Sequence, residues 1–200
     1  MRRLILLLMV WPLLVWSLLS HAGAQIEEPL SASVRAGLQK AVSDSAPPKL
    51  MFDSEAQGQR WLAEMSLRLQ KQIPDADFRR NFLIAVQYEA KRAGLDPQLV
   101  LGLIQVESGF KKYAVSSAGA RGFMQVMPFW VRSIGTPDQD LFHLRINLRY
   151  GCTILRHYLD MEQGNLFRAL SRYNGSLAQP QYPNMVVAAW RHHWAYVSSK

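Results

Sequence analysis

Cysteine is almost missing from this sequence. Cys152 is alone among 200 residues, so no disulfide can close within the chain and stability must come from packing. Acidic residues are fewer than basic ones, 15 against 23, but the lysines and arginines are scattered. No basic block with interleaved aromatics offers the grip that nucleic acid requires, so no nucleic-acid partner is expected. Strand pairs with hairpin signals are absent from the main domain, and no internal repeat is visible. What these absences leave is an all-α fold, or one nearly so.

A long apolar run comes first among the features that are present. "MRRLILLLMVWPLLVWSLLSHAGAQ" opens on Arg2 and Arg3, continues through apolar residues from Leu4 to Leu19 and closes on Ala22, Gly23 and Ala24. A basic start, an apolar centre and small residues before a cut are the layout of a secretory signal peptide over residues 1–24, with cleavage expected after Ala24. The alternative is an uncleaved anchor, since the apolar centre approaches the ~18 residues that span a bilayer. No cysteine follows the small residues, so the usual bacterial lipid-attachment pattern is missing. Losing the segment lowers the formal charge from +8 to +6, because it holds two arginines and no acidic residue. The result is a mildly basic protein, periplasmic or secreted, whose charge suits an anionic polymer such as a cell wall or a membrane surface, and equally, since the lysines and arginines are scattered, a well-solvated surface.

Residues 25–75 read as an N-terminal extension. "SDSAPPKL" (Ser43 to Leu50) has the composition of a linker, and one helix is expected from Asp53 to Gln72 with Trp61, Leu62, Met65 and Leu69 on its apolar side. Packing on the main domain, contact with a partner and mobility are all compatible with this pattern. Residues 76–200 form the main domain, where helical signals crowd together. "DFRRNFLIAVQYEAKRAG" carries a helix that stops at Gly94; Asp96 and Pro97 then stand as N-cap and first-turn proline of a helix ended by Gly109. Further helices are expected over Leu144 to Met161, Asn165 to Tyr173 and Pro183 to Val197. Cys152 lies on the stripe Leu148, Cys152, Leu155, Leu159 and is expected to be buried and inert.

The helix after Pro97 contains an anomaly. Val100, Leu103, Ile104 and Glu107 stand at i, i+3, i+4 and i+7, so a carboxylate points where core side chains point. Burial and the negative end of the helix dipole both disfavour its ionised form. A carboxyl titrating closer to neutral than the ~4.3 of a free Glu suits a general acid that must later take a proton back. Periodicity alone leaves open a Glu that turns outward or meets an arginine.

The residues that follow narrow the choice. Glu107 and Ser108, then Ser116-Ser117-Ala118-Gly119-Ala120, then Gly122-Phe123-Met124-Gln125 resemble, in order and spacing, the motifs of lytic transglycosylases with a soluble-lytic-transglycosylase catalytic domain, in the goose-type-lysozyme-like superfamily. "INLRYGCTILRHYLD" and "SRYNGS" resemble two further motifs of that family. Phe123 stands where Leu is usual, Arg172 replaces the usual Ala, and Ser176 breaks the end of the last motif. The likeness runs from about Phe78 to Trp194.

The resemblance implies a lysozyme-like helical domain with a glycan-binding groove, and Glu107 as its only catalytic carboxyl. Its implied substrate is the glycan strand of peptidoglycan. Glu107 would protonate the oxygen bridging N-acetylmuramic acid and N-acetylglucosamine, then take the proton from the C6 hydroxyl as a 1,6-anhydro ring closes. No metal or cofactor enters that chemistry. By motif position, Ser116 and Gln125 would hydrogen-bond the sugar, Met127 would wall the site, Ser108 would support it, and the Tyr173 hydroxyl would meet the catalytic Glu. Asn174 would orient the site or cap its helix before Gly175, with the cap the preferred reading.

Two alternatives remain. A hydrolytic muramidase would want a second acid, for which Asp138, Asp140 and Asp160 are present without a motif to recruit them. A non-catalytic peptidoglycan-binding component of an envelope machine would keep the groove without the reaction. The short chain, lacking a recognisable wall-binding module, also suits an enzyme targeted by an envelope-spanning secretion or conjugation machine.

Overall fold

The structure is a computed structural model, and it describes residues 25–177 and 179–197. The expected signal peptide lies outside the described residues. Among the described residues eight α-helices follow in order: α1 (Ala32–Val42), α2 (Glu55–Leu69), α3 (Ala76–Arg92), α4 (Pro97–Ser108), α5 (Phe129–Ile134), α6 (Leu144–Met161), α7 (Leu166–Asn174) and α8 (Gln181–Ala189). A π-helical turn, Trp190–Trp194, continues α8. Among the described residues there is no strand, only the isolated bridges Val115 to Arg121 and Arg121 to Val126. The all-α fold is therefore as expected.

α4 runs through the middle. Asp96 caps it by accepting from the Gln98 N–H at 2.8 Å, Pro97 fills its first turn, and Gly109 ends it in the left-handed conformation at φ 56°. Leu99 to Ile104 are all buried, which is the mark of a helix surrounded by others. Gly102 lets the chain at Trp190 come close: a Cβ there would stand 2.8 Å from the Trp190 nitrogen. Trp194 then donates from Nε1 to Gln105 Oε1 at 2.7 Å, fixing the π-helical turn to α4. The helix expected over Pro183 to Val197 thus starts earlier, at Gln181, and changes its winding at Trp190.

The extension is part of the fold. Periodicity gave no sign of α1, which buries only Leu38 and Val42. Tertiary contacts hold its end instead: Arg92 Nη1 donates to the Ala41 carbonyl at 2.7 Å and Arg149 Nη1 to that of Val42 at 3.4 Å. Both arginines pair with Glu89, which is fully buried, at 2.9 and 3.1 Å. Gln87, also fully buried, bonds both the N–H and the carbonyl of Met51 at 2.9 and 2.8 Å. Charged and amide side chains of α3 and α6 therefore use the extension's backbone to satisfy themselves.

Cys152 is buried in α6, and burial together with the Glu89 charge pushes its thiol up. That environment suppresses the reactive thiolate.

Candidate active site

Glu107 sits in the last turn of α4, partly exposed. Burial pushes its carboxyl up from 4.5 to about 8, against a hydrogen bond from Tyr182 that pulls it down. The Tyr182 hydroxyl donates to Glu107 Oε1 at 2.5 Å. Tyr182, in the first turn of α8, is itself buried, and its hydroxyl is raised well above its usual value by burial and by the Glu107 charge.

The turn Phe123-Met124-Gln125 gathers the remaining parts. Ser108 Oγ, next to Glu107, donates to the Phe123 carbonyl at 2.8 Å and so ties the end of α4 to this turn. Asn147 in α6 is fully buried; its Oδ1 accepts from the Met124 N–H at 2.8 Å, and its Nδ2 donates to the carbonyls of Arg121 and Leu141 at 2.8 and 2.9 Å. Gly122 is left-handed at φ 75°, and a Cβ on it would stand 2.5 Å from Asn147 Nδ2, so both conformation and space demand glycine. Phe123 fits where a smaller Leu was expected, because its ring lies 4.9 Å from Phe82 and 6.4 Å from Phe78.

Tyr173 contributes differently from its expected role. Its ring is buried on α7, as its spacing indicated, but its hydroxyl donates to the Met124 carbonyl at 2.8 Å and leaves Glu107 to Tyr182. It remains near enough for the Glu107 charge to act on it, after burial, in raising its hydroxyl. Asn174 is the last residue of α7 and buried. The cap is made by Gly175, whose N–H reaches the Arg172 carbonyl while the Ser176 N–H reaches that of Ser171. The preferred reading of Asn174 as the cap is thus corrected, because a left-handed glycine at φ 73° closes the helix without it.

Gln125 is 8% exposed and spends both amide hydrogens on the loop, donating to the Ala114 and Gly122 carbonyls at 3.1 and 2.9 Å. Only its Oε1 is left for a ligand. Ser116 Oγ accepts from the Ala120 N–H at 3.1 Å, which leaves its own hydrogen available. Met127 is partly exposed beside the turn. Arg172, a departure from the expected motif, is held by Glu162 and, at 3.2 Å, by Glu28. Among the described residues no group of three or more His, Cys, Asp or Glu side chains is placed to hold a metal.

Residues 84–182, the stretch that contains Glu107, the Gly122 to Gln125 turn, Asn147, Tyr173 and Tyr182, match the family model described as Transglycosylase SLT domain. The chain carries a transglycosylase SLT domain.

The chain is also similar to curated proteins named membrane-bound lytic murein transglycosylase C. It is 53% identical over 49 residues to that of Actinobacillus pleuropneumoniae serotype 5b, covering 24% of this chain and 13% of the relative. It is 41% identical over 66 residues to that of Mannheimia succiniciproducens, covering 33% and 17%. The matches thus span under a fifth of those relatives' length. Among solved structures, an inactive mutant of the lytic transglycosylase Slt from Pseudomonas aeruginosa aligns over 82% of this chain and 40% of its own at 16% identity and a TM-score of 0.43. The 70 kDa soluble lytic transglycosylase of Escherichia coli aligns over 79% and 27% at 15% identity and the same TM-score.

Within the SLT domain, sequence reasoning missed Tyr182 and gave Asn147 no role. Tyr182 stands between Gln181 and Pro183, and its one local signal is the adjacent proline, which by itself marks a helix start just after it. Asn147 had a signal: a polar residue in α6 that shares its helical face with Tyr150 and Ile154, both fully buried, must find partners.

Proposed function

We propose that this protein is a peptidoglycan lytic transglycosylase that cuts the β-1,4 bond between N-acetylmuramic acid and N-acetylglucosamine and leaves 1,6-anhydro ends. The observation that carries the reading is Glu107, a carboxyl pushed up to about 8 with a tyrosine hydroxyl on one oxygen. At neutral pH it is protonated, and because Tyr182 holds Oε1, the acidic proton is free to sit on Oε2 and pass to the bridging oxygen of the glycan. The Tyr182 hydrogen bond then steadies the carboxylate that results. The substrate's own acetamido group shields the charge at C1, and Glu107 recovers its proton from the C6 hydroxyl as the ring closes. Acid and base are the same residue, and no metal or cofactor is needed.

The three other carboxylates considered are engaged elsewhere. Asp160 pairs with Arg156 at 2.5 Å, Asp140 accepts from the Phe142 N–H at 2.8 Å, and Asp138 is held down by its hydrogen bond with Thr136. This favours the single-carboxyl reaction over a hydrolysis that draws on two. Ser116, the Gln125 oxygen and Met127 would line the sugar site, while Tyr173, Ser108 and Asn174 would brace it. We place the enzyme in the periplasm or outside the cell after loss of residues 1–24, with residues 76–200 as the catalytic domain. A secretion or conjugation machine of the envelope would supply targeting. Among the described residues no helix is long and apolar enough to cross a membrane.

Mass spectrometry of digested wall tests the reaction, since an anhydro end is lighter by one water than a reducing end. Anhydro-muropeptides support the proposal. Reducing ends would make the protein a hydrolytic muramidase, and binding without any release of product would make it a non-catalytic wall-binding component.

A further inference from the structure

Gln25 is 5% exposed, although the residues that follow it, Ile26 to Pro29, are exposed and have no regular structure. Its side chain reaches the turn that builds the site. Gln25 Oε1 accepts from the Trp130 Nε1–H at 3.0 Å and from the Met127 N–H at 3.3 Å, while Nε2 donates to the Gln125 carbonyl at 3.4 Å. One carboxamide thus meets donors at its oxygen and an acceptor at its nitrogen. An acetamido group on a sugar offers the same pair, a carbonyl oxygen and an N–H. The notch formed by Gln125, Met127 and Trp130 is therefore complementary to an amide, and the protein's own chain holds one there.

The hold is of a kind that can be released. Beyond Gln25, Glu27 stands 3.9 Å from Arg132 and Glu28 3.2 Å from Arg172, the first pair well exposed and the second partly so. Exposed pairs of this sort hold weakly, because water screens the charges and ordering two long side chains offsets most of the attraction. Leu30, partly buried against the core, anchors the far end just before α1. A short extended segment is thus pinned at Gln25 and Leu30, with only weak ion pairs between.

We propose that residues 25–30 are a self-docking strap whose Gln25 amide occupies the notch meant for a sugar acetamido group, so that glycan binding there requires the strap to leave. This rests on the reading of the substrate as an N-acetylated glycan. The strap makes the protein weaker toward its substrate until something, a partner or the wall itself, draws the segment away.

The test uses purified protein with Glu107→Gln, which prevents turnover, and compares it with and without Gln25→Ala. A tetramer of N-acetylglucosamine and its fully deacetylated counterpart are titrated by calorimetry. Freeing the notch should tighten the N-acetylated tetramer on the order of fivefold or more, the equivalent of one or two net hydrogen bonds. The deacetylated tetramer should show no gain, which a general loosening of the structure would not reproduce. Glu28→Gln, which leaves the notch intact and frees only the strap, should give a smaller gain in the same direction. With Glu107 present, the gain should appear in KM for wall digestion. Unchanged or weaker binding of the N-acetylated tetramer in Gln25→Ala would overturn the strap and make Gln25 a structural member of the site. Tighter binding without wall cleavage by the Glu107 protein would keep the strap and sink the enzymatic reading, whereas wall cleavage without an affinity change would do the reverse.

Discussion

The Tyr182 hydroxyl donates to Glu107 Oε1 at 2.5 Å, across 75 positions of sequence. This contact joins the start of α8 to the end of α4 at the one carboxyl in the site that burial holds near neutral. Tyr182→Phe should keep the ring and lose the hydroxyl. A hydrogen bond to a charged group is worth roughly 1.5–3 kcal/mol, so the cutting rate should fall about ten- to a hundredfold. Because that hydrogen bond pulls the Glu107 carboxyl down, its loss should move the alkaline limb of the pH profile upward. An unmoved limb would mean that Tyr182 does not act on Glu107.

Glu107→Gln should abolish product release and leave glycan binding in place, as shown by co-sedimentation with wall. Its effect on stability has a sign that depends on pH. The unfolded carboxyl ionises near 4.5 and the folded one near 8, so between those values the native state holds the extra proton and its stability falls as pH rises. The parent should therefore lose stability relative to the Gln variant from about pH 4.5 to about pH 8, with no further loss above. Urea unfolding at pH 5, 7 and 9 reads this directly; a difference independent of pH would show that Glu107 is not held protonated.

Asn147→Leu should disable the site without touching it. Three hydrogen bonds to Met124, Arg121 and Leu141 would go, leaving buried backbone groups unpaired. At ~1–3 kcal/mol for each such group, several kcal/mol of stability should be lost together with activity. Asn147→Asp would keep the acceptor for the Met124 N–H but turn an oxygen toward the Arg121 and Leu141 carbonyls, so it should be destabilised too, and less so at acid pH, where a protonated carboxyl can still donate to one of them. Equal loss at acid and neutral pH would show that those carbonyls do not need a donor.

Arg149→Met should break the buried pair with Glu89 and release the Val42 carbonyl. Removing one partner of a buried pair costs about 3–5 kcal/mol, readable as a lower melting temperature. Limited proteolysis should then cut first between residues 43 and 53, because α1 loses part of its hold. Cleavage elsewhere would show that the extension is kept in place by its apolar contacts alone.

Tyr173→Phe separates bracing from catalysis. Its hydroxyl serves the Met124 carbonyl, so the variant should be less stable by about 1 kcal/mol or more and leave the pH limb set by Glu107 in place. A shift of that limb comparable to the one expected for Tyr182→Phe would return Tyr173 to direct contact with the acid.

By itself the sequence determined what local periodicity and short motifs can carry. The 3.6-residue period put Glu107 on the same face as Val100, Leu103 and Ile104, and the structure places it at the end of a helix buried nearly all round. Asp96, Pro97 and Gly109 marked both ends of α4, since caps are properties of a few adjacent residues. The glycine-rich turn and its glutamine were visible as a motif. Only the tertiary structure decided which tyrosine meets Glu107, because Tyr173 and Tyr182 carry the same chemistry and differ only in where α7 and α8 deliver them. It alone revealed α1, which buries only Leu38 and Val42 and is fixed by arginines 50 and more positions away. The same holds for Gln25, whose amide finds its partners 100 residues further along the chain. A hydrogen bond depends on distance and angle in space, and neither leaves a period or a spacing in the sequence when its partners lie on different elements.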